Sequence, residues 1–328
     1  MDLTGKNVLI TGGAGFIGSH LAERLIELGA RVTVIDDLST GSIRNLDRLK
    51  GYERFSYRID TIMNLPLIAE LVDRADWVAH LAAVVGVQLV VQKPVRTIET
   101  CVHGTEVILN AAAKKGKRVL IASSSEVYGK SENTPFREDD DMVFGPTTRG
   151  RWCYACAKAI DEFLALAYHK ENGLPVVIAR FFNTVGPRQT GQYGMVLPRF
   201  VSAALAGKPI HVYGDGEQTR SLTHVSDTIR AVIDLMADDS VSGEIFNIGN
   251  DEEVTINELA RRVVELSGSK SEIQRVPYSQ AYPEGFEDLR RRVPCIDKLR
   301  ERIGFQPRRD LSDIIKSVID YQRESGRA

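Results

Sequence analysis

The sequence predicts an α/β fold, a doubly wound parallel sheet with a smaller α/β substrate-binding domain, and three observations predict it. Short β-branched runs alternate with longer amphipathic stretches through the first half, as successive βαβ units require. Runs such as Val8-Leu9-Ile10 and Val176-Val177-Ile178-Ala179 are continuously apolar, the pattern of strands covered by helices on both faces. A glycine cluster, Gly12, Gly13, Gly15 and Gly18, stands where the first strand should hand over to the first helix.

The elements follow in order. Asn7–Thr11 is the first strand. After it Phe16, Ile17, Leu21, Leu25, Ile26 and Leu28 recur at helical spacing, and Gly29 ends the run as a C-terminal cap. Further strands are expected at Arg31–Asp36, Phe55–Asp60, Trp77–Ala82, Arg118–Ser123 and Pro175–Phe181, and a helix at Trp152–Tyr168. Beyond about residue 181, Gly186-Pro187, Gly207-Lys208-Pro209 and Gly214-Asp215-Gly216 break the βα rhythm. The expected division is a first domain over 1–180 plus about 222–250, and a smaller one over about 181–221 and 251–328.

Composition narrows the function. The chain has 328 residues, 43% of them hydrophobic and 26% charged, enough apolar content for a substantial core. Lys and Arg number 42 against 44 Asp and Glu, so no global cationic field exists to gather nucleic acid or anionic lipid. No run approaches the roughly 18 apolar residues of a membrane span, and no apolar leader precedes the glycines, so a soluble cytoplasmic protein is expected. Four cysteines, Cys101, Cys153, Cys156 and Cys295, are too sparse for a disulfide framework. The six histidines show no metal-ligand spacing, and no metal is expected.

The glycine cluster satisfies G-x-G-x-x-G through Gly13, Gly15 and Gly18, and G-x-x-G-x-x-G through Gly12, Gly15 and Gly18. Between a strand and a helix, such glycines let backbone N–H groups approach a pyrophosphate at the positive end of the helix dipole. Asp36 closes the second strand, where a carboxylate accepts from an adenosine ribose and repels a 2′-phosphate. This is a Rossmann-type fingerprint and favours NAD over NADP. Asp60, at the end of the third strand, is a candidate for the adenine or a helix cap.

Tyr154 and Lys158 stand at i and i+4, on one helix face. A neighbouring ammonium favours tyrosinate, so the pair suggests a phenol with lowered pKa able to take a proton from a hydroxyl. Ser124, Ser125 and Glu126 follow the fifth strand in Ser123-Ser-Ser-Glu-Val-Tyr-Gly129.

With these motifs the chain resembles the extended short-chain dehydrogenases/reductases of the NAD-dependent sugar-nucleotide epimerase, dehydratase and decarboxylase group. His80-Leu-Ala-Ala83, Gly104-Thr105, Arg180-Phe-Phe-Asn183, Gly186-Pro-Arg188, Val212-Tyr-Gly-Asp-Gly216, Gln218-Thr-Arg220 and His224-Val-Ser-Asp227 extend the likeness over essentially the whole length. The resemblance implies Tyr154 as the base for O4, Lys158 as its tuner and a ribose ligand, and Ser124 as a partner of O4. Hydride passes from C4 to NAD⁺, giving a 4-keto sugar nucleotide. Gly12, Gly15, Phe16, Ile17, Gly18, Asp36, Asp60, Leu81, Ala82 and Ala83, with Tyr154 and Lys158, are the implied cofactor ligands. Arg220 and Arg292 are implied for the diphosphate and Tyr213 for the base, with Asn183, Arg188 and Arg199 as further contacts to a UDP-sugar. A homodimer through helices near 98–114 and 152–170 is also implied.

The residues after Ser124 divide the group. A dehydratase pattern resembles Thr-Asp-Glu where this chain has Ser124-Ser125-Glu126, and a simple 4-epimerase needs no glutamate there. A UDP-glucuronate decarboxylase is more similar: oxidation at C4 of a uronic acid makes a β-keto acid that loses CO₂, with Ser125, Glu126 and Arg220 as candidates for placing the carboxylate and returning a proton. UDP-glucuronate or UDP-glucose 4-epimerases remain the alternative, and an NDP-glucose 4,6-dehydratase or a non-catalytic NAD-binding protein stand further off. Two departures bear on the site: Cys101 stands where the group commonly has Asn, and Cys295 where it has Asp in Arg-x-Pro-Asp.

Overall fold

Strands that are apolar on both faces need helices above and below, and the chain supplies them by crossing over after each strand. The computed structural model describes residues 1–84, 86, 90, 92–191, 194–281 and 289–326. The strands are β1 (Asn7–Thr11), β2 (Arg31–Asp36), β3 (Phe55–Ile59), β4 (Trp77–His80), β5 (Arg118–Ser124), β6 (Val176–Phe181), β7 (Thr184–Val185), β8 (Ile210–Tyr213), β9 (Thr219–Ser221), β10 (Thr223–His224), β11 (Glu244–Ile248), β12 (Glu253–Thr255), β13 (Ile273–Val276) and β14 (Arg291–Arg292). The helices are α1 (Phe16–Glu27), α2 (Leu65–Arg74), α3 (Pro94–Ile98), α4 (Gly104–Ala113), α5 (Trp152–Asn172), α6 (Val196–Leu205), α7 (Val225–Ala237), α8 (Ile256–Ser267), α9 (Tyr278–Ala281), α10 (Asp297–Ile303) and α11 (Leu311–Glu324).

A seven-stranded parallel sheet, ordered β11-β6-β5-β4-β1-β2-β3, forms the centre. The chain runs outward from β1 through β2 to β3, then returns to place β4 on the other side of β1. The reversal opens a crevice at the carboxyl ends of β1 and β4, the place where open α/β sheets take ligands. On one face Leu21 and Leu25 of α1 and Val232 and Leu235 of α7 pack against Val8, Ile10, Leu120 and Val177. On the other, Ile68 and Val72 of α2, Ile108 of α4 and Ala165 of α5 cover Leu9, Val78, Val119, Ile121 and Ile178. A separate apolar core joins α6, α8 and α11 with β8, through Phe200, Leu259, Ile314 and Val212.

β1 and β2 have the expected bounds, whereas β3 and β4 stop at Ile59 and His80, β5 runs on to Ser124, and β6 begins at Val176. β3, at the edge of the sheet, departs from the expected double cover: Tyr57 and Ile59 are exposed. The helix expected to end at Tyr168 continues to Asn172 and closes on Gly173, in the left-handed region at φ 66°. The seventh strand, β11, enters the sheet from beyond the point where the βα rhythm breaks. Among the described residues no helix is long and apolar enough to cross a membrane.

Candidate active site

The crevice is a cavity of about 870 Å³ bounded by the glycine turn, the ends of β2, β4, β5 and β6, and the first turns of α5. Its glycine wall is tight. Gly12 has φ +71°, and a Cβ on Gly18 would lie 2.4 Å from the Gly12 carbonyl oxygen. Gly15 caps α1 without any side-chain acceptor, and the first-turn residues Phe16, Ile17 and Gly18 line the cavity. That is a cradle for an anionic group at a helix N-terminus, and it fits the pyrophosphate of a dinucleotide. Asp36 accepts from the backbone N–H of Ala14 at 2.9 Å and of Leu38 at 2.8 Å, which fixes its carboxylate at the cavity wall. Burial pushes its pKa up, while those two N–H groups pull it down. Asp60 lines the same space, accepting from its neighbour Thr61 N–H at 2.7 Å and from Asn64 Nδ2 at 2.9 Å, so it also organises the turn into α2. Leu81, Ala82 and Ala83 form the wall after β4.

Opposite this wall, α5 delivers Tyr154 and Lys158, and β5 delivers Ser124, Ser125 and Glu126; all five line the cavity. The side-chain oxygen of Ser124 caps the short turn after β5 by accepting from the Glu126 N–H at 3.3 Å. The expected lowering of the Tyr154 pKa is not seen in the protein alone. Burial pushes the phenol up, and Lys158 and the Ser124 hydroxyl only partly offset that. The lysine's charge is shared with Asp161, whose Oδ2 accepts from Nζ at 2.9 Å with both side chains fully buried. Burial pushes Lys158 down, but Asp161 outweighs it and holds the ammonium above its ordinary value. Beneath the floor, Ser123 donates to Glu162 at 2.5 Å and Arg180 grips both Glu162 oxygens at 2.9 and 2.7 Å, which ties α5 to β5 and β6.

Glu126 is the electrostatic centre of the far end. Arg292 approaches it to 2.7 Å and Arg151 to 3.4 Å, with all three side chains at most 15% exposed. Burial raises the carboxyl, but the two guanidinium groups and Arg220 further off bring it below the ordinary glutamate value. Arg292, expected at a diphosphate, lines the cavity with its guanidinium against Glu126. The segment after it is stitched to the loop following β5, with Phe136 N donating to Val293 O at 2.9 Å and Cys295 N to Phe136 O at 2.8 Å. Arg151, the residue before α5, is absent from the expected set; its place two residues before Cys153-Tyr154 was the available signal.

The other expected substrate contacts separate. Asn183 and Arg188 line the cavity. Asn183 Nδ2 donates to Ser221 O at 3.0 Å, and Arg188 reaches back to α1, donating to Ser19 Oγ at 3.1 Å and Glu23 at 2.5 Å. Arg199, Tyr213 and Arg220 lie outside the cavity wall: Arg199 stacks 4.0 Å over the Tyr213 ring, and Arg220 donates to the carbonyls of Thr219 and Leu289. Cys101 is fully buried near Lys158 and Tyr154 in a π-helical turn, Glu99–His103, and burial raises its thiol. Cys295 is buried too, and its thiol donates to Asp297 at 3.2 Å. No cluster of three metal-ligating side chains occurs among the described residues.

Residues 9–318 match the family model described as GDP-mannose 4,6 dehydratase. The chain is 45% identical over 320 residues to the UDP-N-acetyl-alpha-D-glucosaminuronate decarboxylase of Bacillus cytotoxicus, covering 97% of this chain and 98% of that one. It is 37% identical to the UDP-glucuronic acid decarboxylase 1 of Danio rerio, covering 96% of this chain and 72% of the other. The solved UDP-glucuronic acid 4-epimerase of Bacillus cereus, in complex with UDP-glucuronic acid and NAD, superposes with a TM-score of 0.88 at 27% identity, over 97% of this chain and 99% of that one.

Proposed function

The chain belongs to the GDP-mannose 4,6 dehydratase family, and from that membership we propose that it is an NAD-dependent decarboxylase of a UDP-linked hexuronic acid. The observation that carries the reading is Glu126 between Arg292 and Arg151, close to Ser124 and Tyr154. Two guanidinium groups set against one glutamate leave a positive charge in excess at that end of the cavity, which suits a uronate carboxylate and serves no purpose for a neutral hexose. NAD held by the glycine turn, Asp36 and Lys158 would supply a reversible hydride acceptor for C4. Tyr154 takes the O4 proton, with Ser124 as hydrogen-bond partner, and Lys158 holds positive charge beside the phenol. The C5–C6 bond then breaks, CO₂ leaves, and the pair from that bond passes into the C4 carbonyl as an enolate; the enolate collapses back to the ketone as C5 takes a proton from solvent water on the side of Ser125, Glu126 and Arg292.

The glycine turn, Asp36, Asp60 and residues 81–83 are the proposed cofactor ligands, and Asn183, Arg188, Arg199, Tyr213 and Arg220 the proposed nucleotide side. The domain division at about residue 181, with 222–250 returning to the first domain, is part of the same reading. So is a homodimer: Val95 and Ile98 on α3 and Ile160 and Phe163 on α5 are apolar and exposed, at 66%, 43%, 48% and 69%. Four free cysteines suit a reducing cytoplasm, and a net charge of -2 argues against nucleic acid as partner.

The test is mass analysis of products from UDP-glucuronate and UDP-N-acetylglucosaminuronate with NAD⁺. Loss of CO₂ from either supports the reading, and E126Q should retain nucleotide binding while losing at least about 100-fold in turnover. An isomer of unchanged mass would make the protein a 4-epimerase instead.

A further inference from the structure

We propose that Asp161 is a positioning residue of this active site, its buried carboxylate holding the Lys158 ammonium in one orientation beside Tyr154. Tyr154, Lys158 and Asp161 stand at i, i+4 and i+7 of α5, a single inward stripe. Nζ and Oδ2 are 2.9 Å apart, and the two side chains are 2% and 0% exposed. An ammonium has three donors, so one committed to Asp161 leaves two for the cavity side. The other carboxylate oxygen, Oδ1, has no hydrogen-bond partner among the described residues; burial pushes the Asp161 carboxyl up, and Lys158 first and the Thr105 side chain after it hold it down.

The surroundings supply no substitute. From β4, His80 is fully buried and its pKa is pushed down to about 3 by burial and Lys158, so it is neutral. From the π-helical turn, Cys101 carries a thiol that burial keeps protonated. On α5 itself, Glu162 is committed to Arg180 and Ser123, and Tyr154 is raised by burial. With Asp161 neutralised, desolvation would act unopposed and drive Lys158 towards the uncharged amine. The phenol would then lose the positive charge that helps it release its proton.

The experiment rests on the decarboxylase reading for its rate arm and on stability alone for its second arm. In NAD⁺-loaded full-length protein, D161N should lower kcat by about 10- to 100-fold at alkaline pH with KM within about threefold, because misplacement of a catalytic group costs that much. Its rate should recover as pH falls and Lys158 regains its proton, a limb the wild type lacks, and D161E should restore part of the rate and the wild-type profile. A D161N profile parallel to that of the wild type would overturn the proposal. The second arm compares Tm for D161N, K158M and K158M/D161N without substrate. Each single change strands a buried group, so the double should be more stable than K158M alone; additive losses would overturn the pairing. A wild type inert towards every UDP-hexuronate would refute the decarboxylase reading and leave the thermal cycle to decide the pair.

Discussion

Single residues here do their work through what burial does to charge. His80 lies between the Thr11 hydroxyl at 2.8 Å and the Thr105 hydroxyl at 3.2 Å, an arrangement that the neutral ring satisfies from both nitrogens. Its pKa falls to about 3, first through burial and then through Lys158. The unfolded chain therefore takes up a proton below about pH 6.5 that the native state refuses, and stability declines as pH falls from there towards 3. The slope from this group approaches about 1.4 kcal/mol per pH unit. H80Q should flatten that acid limb in urea titrations at pH 7 and pH 5, even if it lowers stability at pH 7. Equal acid losses in both proteins would place the sensitivity elsewhere. The same burial explains why Tyr154 and Lys158, recognisable by spacing, did not reveal their protonation: the sequence shows the pair, but not the desolvation or the Asp161 carboxylate that set it.

At the scale of elements, the glycine turn and α1 form one device. Gly18 sits in the first turn of α1, where any Cβ would press 2.4 Å from the Gly12 carbonyl oxygen and 2.6 Å from the Gly13 Cα. Both neighbours are backbone, so relief requires the turn itself to move. G18A should cost about 1–3 kcal/mol in stability by overpacking and weaken NAD binding at least tenfold, measured by calorimetry on purified protein. Undiminished affinity would show that the turn is not the pyrophosphate cradle. The glycine turn was legible because its spacing is a backbone requirement that only glycine meets. The Glu126 clamp was legible in part: Glu126 was singled out, but Arg292 arrives from β14 and Arg151 from the start of α5, a convergence that local spacing does not encode.

For the whole molecule, the proposed homodimer has a local handle. Ile160 and Phe163 lie i, i+3 on α5, turned away from the stripe of Tyr154, Lys158 and Asp161, and α3 beside them exposes Val95 and Ile98. Exposed apolar side chains on adjoining helices are the material of a helix-bundle interface. F163E should shift the protein to a monomer in sedimentation velocity at micromolar concentration, while its circular dichroism stays that of the wild type. A wild type that is already monomeric would refute the dimer.

The sequence by itself determined the parallel α/β architecture, the glycine cradle and the Tyr154–Lys158 face, because periodicity, glycine geometry and helical spacing are local consequences of the backbone. Ser124, Ser125 and Glu126 at the end of β5 were also recognisable from the sequence as candidates, and all three line the cavity. Only the tertiary structure decided which charges meet. Arg292 meets Glu126, Arg199 stacks on Tyr213 outside the cavity wall, and Asp161 closes on the lysine. Those pairings join separate elements or depend on shared burial, and the energy of a charge in a dry interior depends on every neighbour the fold brings to it.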